Sequence, residues 1–137
     1  MPDQTYQPGV YRKQGGNELV ISSAGQLTTE GQGTVTQITS ITTGVTLNAI
    51  AGIITTVSQT LAAAAEAEIV VTNNKVAVGD VVVVNVADIA GGAGGPFQAT
   101  VTAVAAGSFT VAIANTHSAT AGNSVLKINF LVLKVTA

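Results

Sequence analysis

PFQATVTAVAAGSFTVAIAN at residues 96–115 and SVLKINFLVLKV at residues 124–135 decide the fold class. In the first tract Phe97, Ala99, Val101 and Ala103 alternate with Gln98, Thr100 and Thr102. After Ala105 and Ala106, Phe109, Val111 and Ile113 alternate with Thr110, Ala112 and Ala114. A period of two sends each set to one face of a strand. Gly107-Ser108 between the runs supplies a turn, so the tract predicts a β-hairpin. In the closing tract Leu126, Ile128, Phe130 and Val132 share one face. The other face begins with Lys127 and Asn129 but continues with Leu131, Leu133 and Val135. A strand of about 11 residues would span roughly 35 Å. Since it becomes apolar on both faces, it is either central in a sandwich or covered by another subunit.

Working back from this stretch, residues 81–86 (VVVVNV) begin without alternation and predict a strand buried on both faces in a central position. Short strands are expected at residues 18–22, 34–40, 43–48, 53–58 and 69–72, those at 34–40, 43–48 and 53–58 rich in Thr, with a further one at 26–29. Residues 61–68 (LAAAAEAE) have helix propensity, but eight residues are too few for an isolated helix. A loop leading into the next strand is the preferred reading. Asn73-Asn74-Lys75 marks a turn, and GGAGG at 91–95 a loop. Eight or nine strands at about 10-residue spacing predict an all-β fold over residues 17–137, an antiparallel β-sandwich, a jelly-roll-like domain or a barrel.

Residues 1–16 form an extended N-terminal arm in this reading, polar and without apolar periodicity. The arm is either an unstructured tail or a segment that docks on a partner. Both tyrosines of the chain, Tyr6 and Tyr11, lie there beside Arg12 and Lys13. Aromatic residues and arginine are common interface anchors. Tyr6, Tyr11, Arg12 and Lys13, with Leu131, Leu133 and Val135, are therefore the candidate partner-binding residues.

The composition points the same way. Of 137 residues, 47% are hydrophobic and only 9% charged, against about 25% charged in typical soluble domains. So few charges give weak electrostatic protection against association. The chain is either a sandwich coated in Thr, Ser and Asn or an assembly component covered by neighbours. Five basic residues and a net charge of −2 leave no footprint for nucleic acid. No apolar run is long enough to span a bilayer as a helix, and the polar N-terminus has no signal-peptide core.

No constellation for catalysis emerges. His117 is the only histidine, set in a loop with no serine in a GxSxG elbow. The absence of cysteine excludes disulfides and thiolate metal sites. Glu66 and Glu68 would share a face if extended, with no further ligands in sequence for a calcium site. The glycines at 91–95 precede Pro96 and a strand, unlike a phosphate loop. The expectation is a protein that is not an enzyme and carries no cofactor or metal.

The tracts TQITSITTGVTLNAIAGIITT (36–56), AEIVVTNNKVAVGDVVVVNVA (67–87), VTAVAAGSFTVAIANTHSATA (101–121) and LKINFLVLK (126–134) resemble small structural proteins of tailed bacteriophages. They are similar to head decoration (cement) proteins and to domains of head-fibre proteins. The opening VYRKQGGNELVISSAGQL (10–27) resembles the start of many phage virion proteins. The resemblance implies a β-sandwich or jelly-roll-like module on the outer capsid surface of a virion. It also implies a homodimer or homotrimer that bridges subunits of the major capsid protein. A tail- or head-fibre module for host or receptor binding is the alternative, which would need a recognition surface on the 88–96 or 115–124 loop.

Overall fold

The computed structural model describes residues 10–12, 15, 18–21, 25, 31–58, 60–91 and 95–135. The chain divides into two compact units at Glu30/Gly31. In the first, β1 (Val10–Arg12) and β2 (Leu19–Ile21) form an antiparallel pair, with Tyr11 opposite Val20 and Arg12 opposite Leu19. The strand expected at 18–22 is thus paired inside this unit, while the one expected at 26–29 lies outside the described residues.

The second unit is an all-β sandwich of eight strands with no helix among its described residues. They are β3 (Gln32–Thr36), β4 (Val45–Thr46), β5 (Ala51–Thr55), β6 (Glu66–Thr72), β7 (Val81–Ala90), β8 (Phe97–Ala105), β9 (Ser108–Asn115) and β10 (Val125–Leu133). One sheet has the order β3-β5-β10-β7 and the other β4-β6-β9-β8. Edge lies over edge, with β7 beside β8 and β3 beside β4.

Both sheets are mixed rather than purely antiparallel. β3 runs parallel to β5, and β4 parallel to β6. The cause is that β3 to β6 alternate between the sheets, so strands two apart in sequence become parallel neighbours. Buried amides hold the crossings. Gln37 Nε2 donates to the carbonyls of Ile41 (3.1 Å) and Thr43 (2.7 Å). Asn73 Nδ2 donates to the Ala49 carbonyl (2.7 Å), and its Oδ1 accepts from the Lys75 N–H (2.9 Å). These bonds meet main-chain groups that a buried arch would otherwise leave unsatisfied.

The hairpin forms as expected, with Ala106-Gly107 as its two-residue turn and Ser108 already paired to Ala105. Gly107 supplies the positive φ (80°) such turns favour. A bulge between Val101 and Ala103 changes the phase of β8, so Val104 rather than Ala103 packs on the core. Residues 61–65 are a loop, in which Ala64 has positive φ (55°), and regular alternation begins at Glu66.

β10 is central, inserted between β5 and β7. Its inner residues Leu126, Ile128, Phe130 and Val132 are buried against Ile54, Ile69, Val71, Phe109, Val111 and Ile113. The Phe109 and Phe130 rings meet across the sheets at 5.2 Å and 54°, a tilted geometry favoured by aromatic pairs. Each such side chain contributes about 1.5–3 kcal/mol relative to exposure.

The reading of residues 81–86 as a central, doubly buried strand is corrected. β7 is an edge strand whose exposure alternates, with Val82, Val84 and Val86 turned to the core and Val81 and Val83 outward. Valine serves on either face of a strand, so a run of valines hides the period.

Candidate functional site

Pairing register brings the outward side chains of the first sheet into rows. Leu133 lies opposite Val81, and Leu131 lies between Val83 and Ala51. The next row joins Asn85, Asn129, Ile53 and Thr34. Beyond it Lys127 Nζ bonds Asp88 Oδ2 at 3.0 Å. The sheet is therefore apolar at the end where β7 begins and β10 finishes, and polar at the other. Val81 (47%), Val83 (50%) and Leu133 (50%) are half exposed where a core position would be dry. Beside them, Gln32, Thr34, Ala51, Ile53 and Asn129 line a shallow concavity of about 460 Å³ over the Gly33–Gly52 pair.

The opposite outer face is different. β6 turns Glu66, Glu68, Val70 and Thr72 outward. Its neighbours are Ala114, Ala112, Thr110 and Ser108 of β9. Glu68 Oε1 accepts from Thr102 Oγ1 at 3.1 Å. Glu66 and Glu68 do share a face, as expected for an extended segment. Among the described residues no group of three or more His, Cys, Asp or Glu is placed to hold a metal ion.

Asp80 fixes the end of the apolar patch. Its carboxylate accepts from Lys134 Nζ, from the Ala77 N–H (2.8 Å) and from the Val135 N–H (3.3 Å). The hydrogen bond from Lys134, then that from Ala77, holds the Asp80 carboxyl below the usual carboxylate range. Lys134 also donates to the Lys75 carbonyl (2.9 Å). The chain just beyond β10 is thus tied to the turn that starts β7, which sets Leu133 beside Val81. Asp88 is likewise held low, by Lys127.

His117 organises a loop. Its Nδ1 accepts from the N–H groups of Ala119 (3.1 Å) and Thr120 (2.9 Å). Asn115, fully buried at the base of that loop, donates through Nδ2 to the carbonyls of Leu61, Ala62 and Thr120.

Of the seven residues singled out in the sequence, Leu131 and Leu133 lie together on the apolar outer face. Val135 follows, exposed, with its N–H on Asp80. Tyr11 and Arg12 stand in β1, and Tyr6 and Lys13 lie outside the described residues. Sequence reasoning missed Val81 and Val83, the cross-strand partners of Leu133 and Leu131. No protein-family model matches the chain, and no curated protein or solved structure does either.

Proposed function

We propose that this protein is a virion structural protein that decorates the outside of a bacteriophage capsid and stabilises contacts between major capsid protein subunits. The resemblance of four tracts to phage head decoration proteins supports the class. The observation that carries the reading is the asymmetry of the sandwich. One outer face sets Glu66, Glu68 and Thr72 around a half-exposed Val70, while the other exposes Leu133, Val81 and Val83 side by side. In this reading the apolar face docks on the shell, Leu131, Leu133 and Val135 lie in the contact, and the arm residues Tyr6, Tyr11, Arg12 and Lys13 add anchors.

The magnitude suits a repeated weak site. Burying the exposed half of Leu133 and of Val81 is worth about 1 kcal/mol each. One copy gains little from this, and an oligomer engaging several shell sites gains through effective concentration. The test is co-sedimentation of the purified protein with shells assembled from the major capsid protein encoded with it. The parent chain is expected to bind. Leu133→Thr with Val81→Thr removes about 2 kcal/mol per site, a loss of roughly thirtyfold, with the sandwich still folded. Failure of the parent to bind, or equal binding by the variant, refutes shell docking through this face.

A further inference from the structure

The side of the sandwich opposite β3 and β4 is built from two of its longest strands. β7 has ten residues and β8 nine, whereas β3 has five and β4 two. β7 pairs with β10 along one edge only. Among the described residues no main-chain bond reaches its other edge. A row of unpaired N–H and C=O groups is a template for another strand. Proteins usually blunt such edges with lysine, proline, an inward charge, a bulge or a short strand. Val81–Val86 has none of these. The β7–β10 bulge lies beyond it, where Lys127 pairs with Asp88 and Ile128 with Val86.

We infer that β7 pairs antiparallel with β7 of a second copy, about a two-fold axis level with Val83, joining two four-stranded sheets into one of eight. Parity fixes the axis. Facing residues in an antiparallel pair point to the same side of the sheet. Val81 and Val83 point outward and Val82 and Val84 inward. A continuous sheet therefore needs its axis perpendicular to the sheet and midway between one residue and its own copy, not level with a peptide bond between two residues.

The partner is a second copy because charge and closure both favour it. The tract 81–87 is uncharged, so laying it against itself brings no like charges together. Asp88 and Asp80 at its ends are neutralised by Lys127 and Lys134. The net charge of −2 leaves little long-range repulsion. A two-fold contact uses both copies of the edge and ends there, where a head-to-tail contact would propagate. Beside β7, a mixed groove of about 350 Å³ lined by Asn85, Gln98 and Thr100 as well as Val84, Val86 and Phe97 would face the symmetry mate. Roughly 20 Å of strand edge, about 20 Å deep across both sheets, buries about 800 Å² over the two copies. That is below the size of stable complexes and belongs with weak, reversible association. The pairing does not rest on shell attachment, which uses the outward side chains.

The test is sedimentation velocity of the full chain from about 1 to 200 μM, with amide hydrogen exchange at both ends of the range. A monomer–dimer equilibrium is expected, with protection of amides in Val81–Val86 rising as dimer forms. Val83→Lys sets two ammonium groups near the axis and weakens the dimer about tenfold or more. Leu133→Lys, on the same face but one strand removed, leaves it intact. A monomer throughout, a trimer, exchange in β7 that ignores concentration, or loss of the dimer with Leu133→Lys alone overturns the inference. The exchange experiment needs no variant, so a misfolded substitution does not decide the matter.

Discussion

Gly52→Ala tests the packing that underlies the candidate face. Gly52 in β5 stands directly opposite Gly33 in β3. A Cβ there would lie 2.7 Å from Leu47 Cδ2, 2.8 Å from the Gly33 carbonyl oxygen and 2.8 Å from Phe130 Cε1. Carbon pairs settle at about 3.5–4.0 Å, so all three neighbours must yield together. Leu47 can rotate. Phe130 is buried against Phe109, and the Gly33 oxygen is main chain within the parallel pair. Overpacking of this kind costs about 1–3 kcal/mol, and three clashes with one on main chain belong near the top. Replacing glycine in a strand returns about 0.5–1 kcal/mol of unfolded-state entropy. The net expectation is a loss of about 2 kcal/mol, near 1 M in urea midpoint. Gly33→Ala is the internal comparison. Its Cβ would come within 3.4 Å of only one atom, Leu47 Cδ1 at 2.7 Å, the far end of a flexible side chain. It should cost clearly less. Urea denaturation of the parent and both variants decides. A Gly52→Ala midpoint equal to the parent's, or a larger loss for Gly33→Ala, refutes the packing described for β3, β5 and Phe130.

Two further outcomes follow from the polar anchors. The Asp80 carboxyl has a folded pKa below its unfolded value near 4. Its stabilisation is therefore fully present above about pH 4 and is lost as pH falls through the folded value. Asp80→Asn should lower stability at pH 7 and flatten the acid limb of a stability–pH curve measured by urea denaturation; an unchanged limb would show that the Lys134 contact contributes nothing. Asn115→Ala leaves carbonyls of Leu61, Ala62 and Thr120 without their buried donor, which should cost about 2–3 kcal/mol. It should also speed amide exchange at Ala119 and Thr120 of the His117 loop, and unchanged exchange there would separate Asn115 from the loop's order.

The sequence reveals the parts of this fold that alternate and hides the parts that do not. The β8–β9 hairpin and the inner face of β10 follow from a period of two, because one side of β8 and of β9 is polar or small and the outer side of β10 opens with Lys127 and Asn129. Residues 81–84 carry the same period in three dimensions, but all four are valine, and composition cannot separate an exposed valine from a buried one. Half of the candidate face was therefore legible, through Leu131 and Leu133, and half was not. The parallel pairs were also hidden. A hairpin advertises itself by its turn residues, whereas crossings between sheets have no fixed turn chemistry. Here they are held by Gln37, which falls inside the strand expected at 34–40, and by Asn73, which reads as turn; both are in fact buried.

Direction is what links the inferred dimer to the proposed attachment. An axis perpendicular to the first sheet leaves the outer faces of both copies pointing the same way. The patches of Leu131, Leu133, Val81 and Val83 then adjoin across the axis and form one longer apolar platform. A dimer made by stacking the two faces would bury those residues and leave nothing to dock. A dimer made through β8 alone would join the polar faces and separate the patches, since β8 belongs to the other sheet. Of these three arrangements, edge pairing through β7 presents two equivalent weak sites side by side to one surface, the geometry in which a loss of about 2 kcal/mol per site compounds over two sites. The Leu133→Thr/Val81→Thr change should accordingly weaken attachment far more at concentrations where the chain dimerises than at concentrations where it is monomeric.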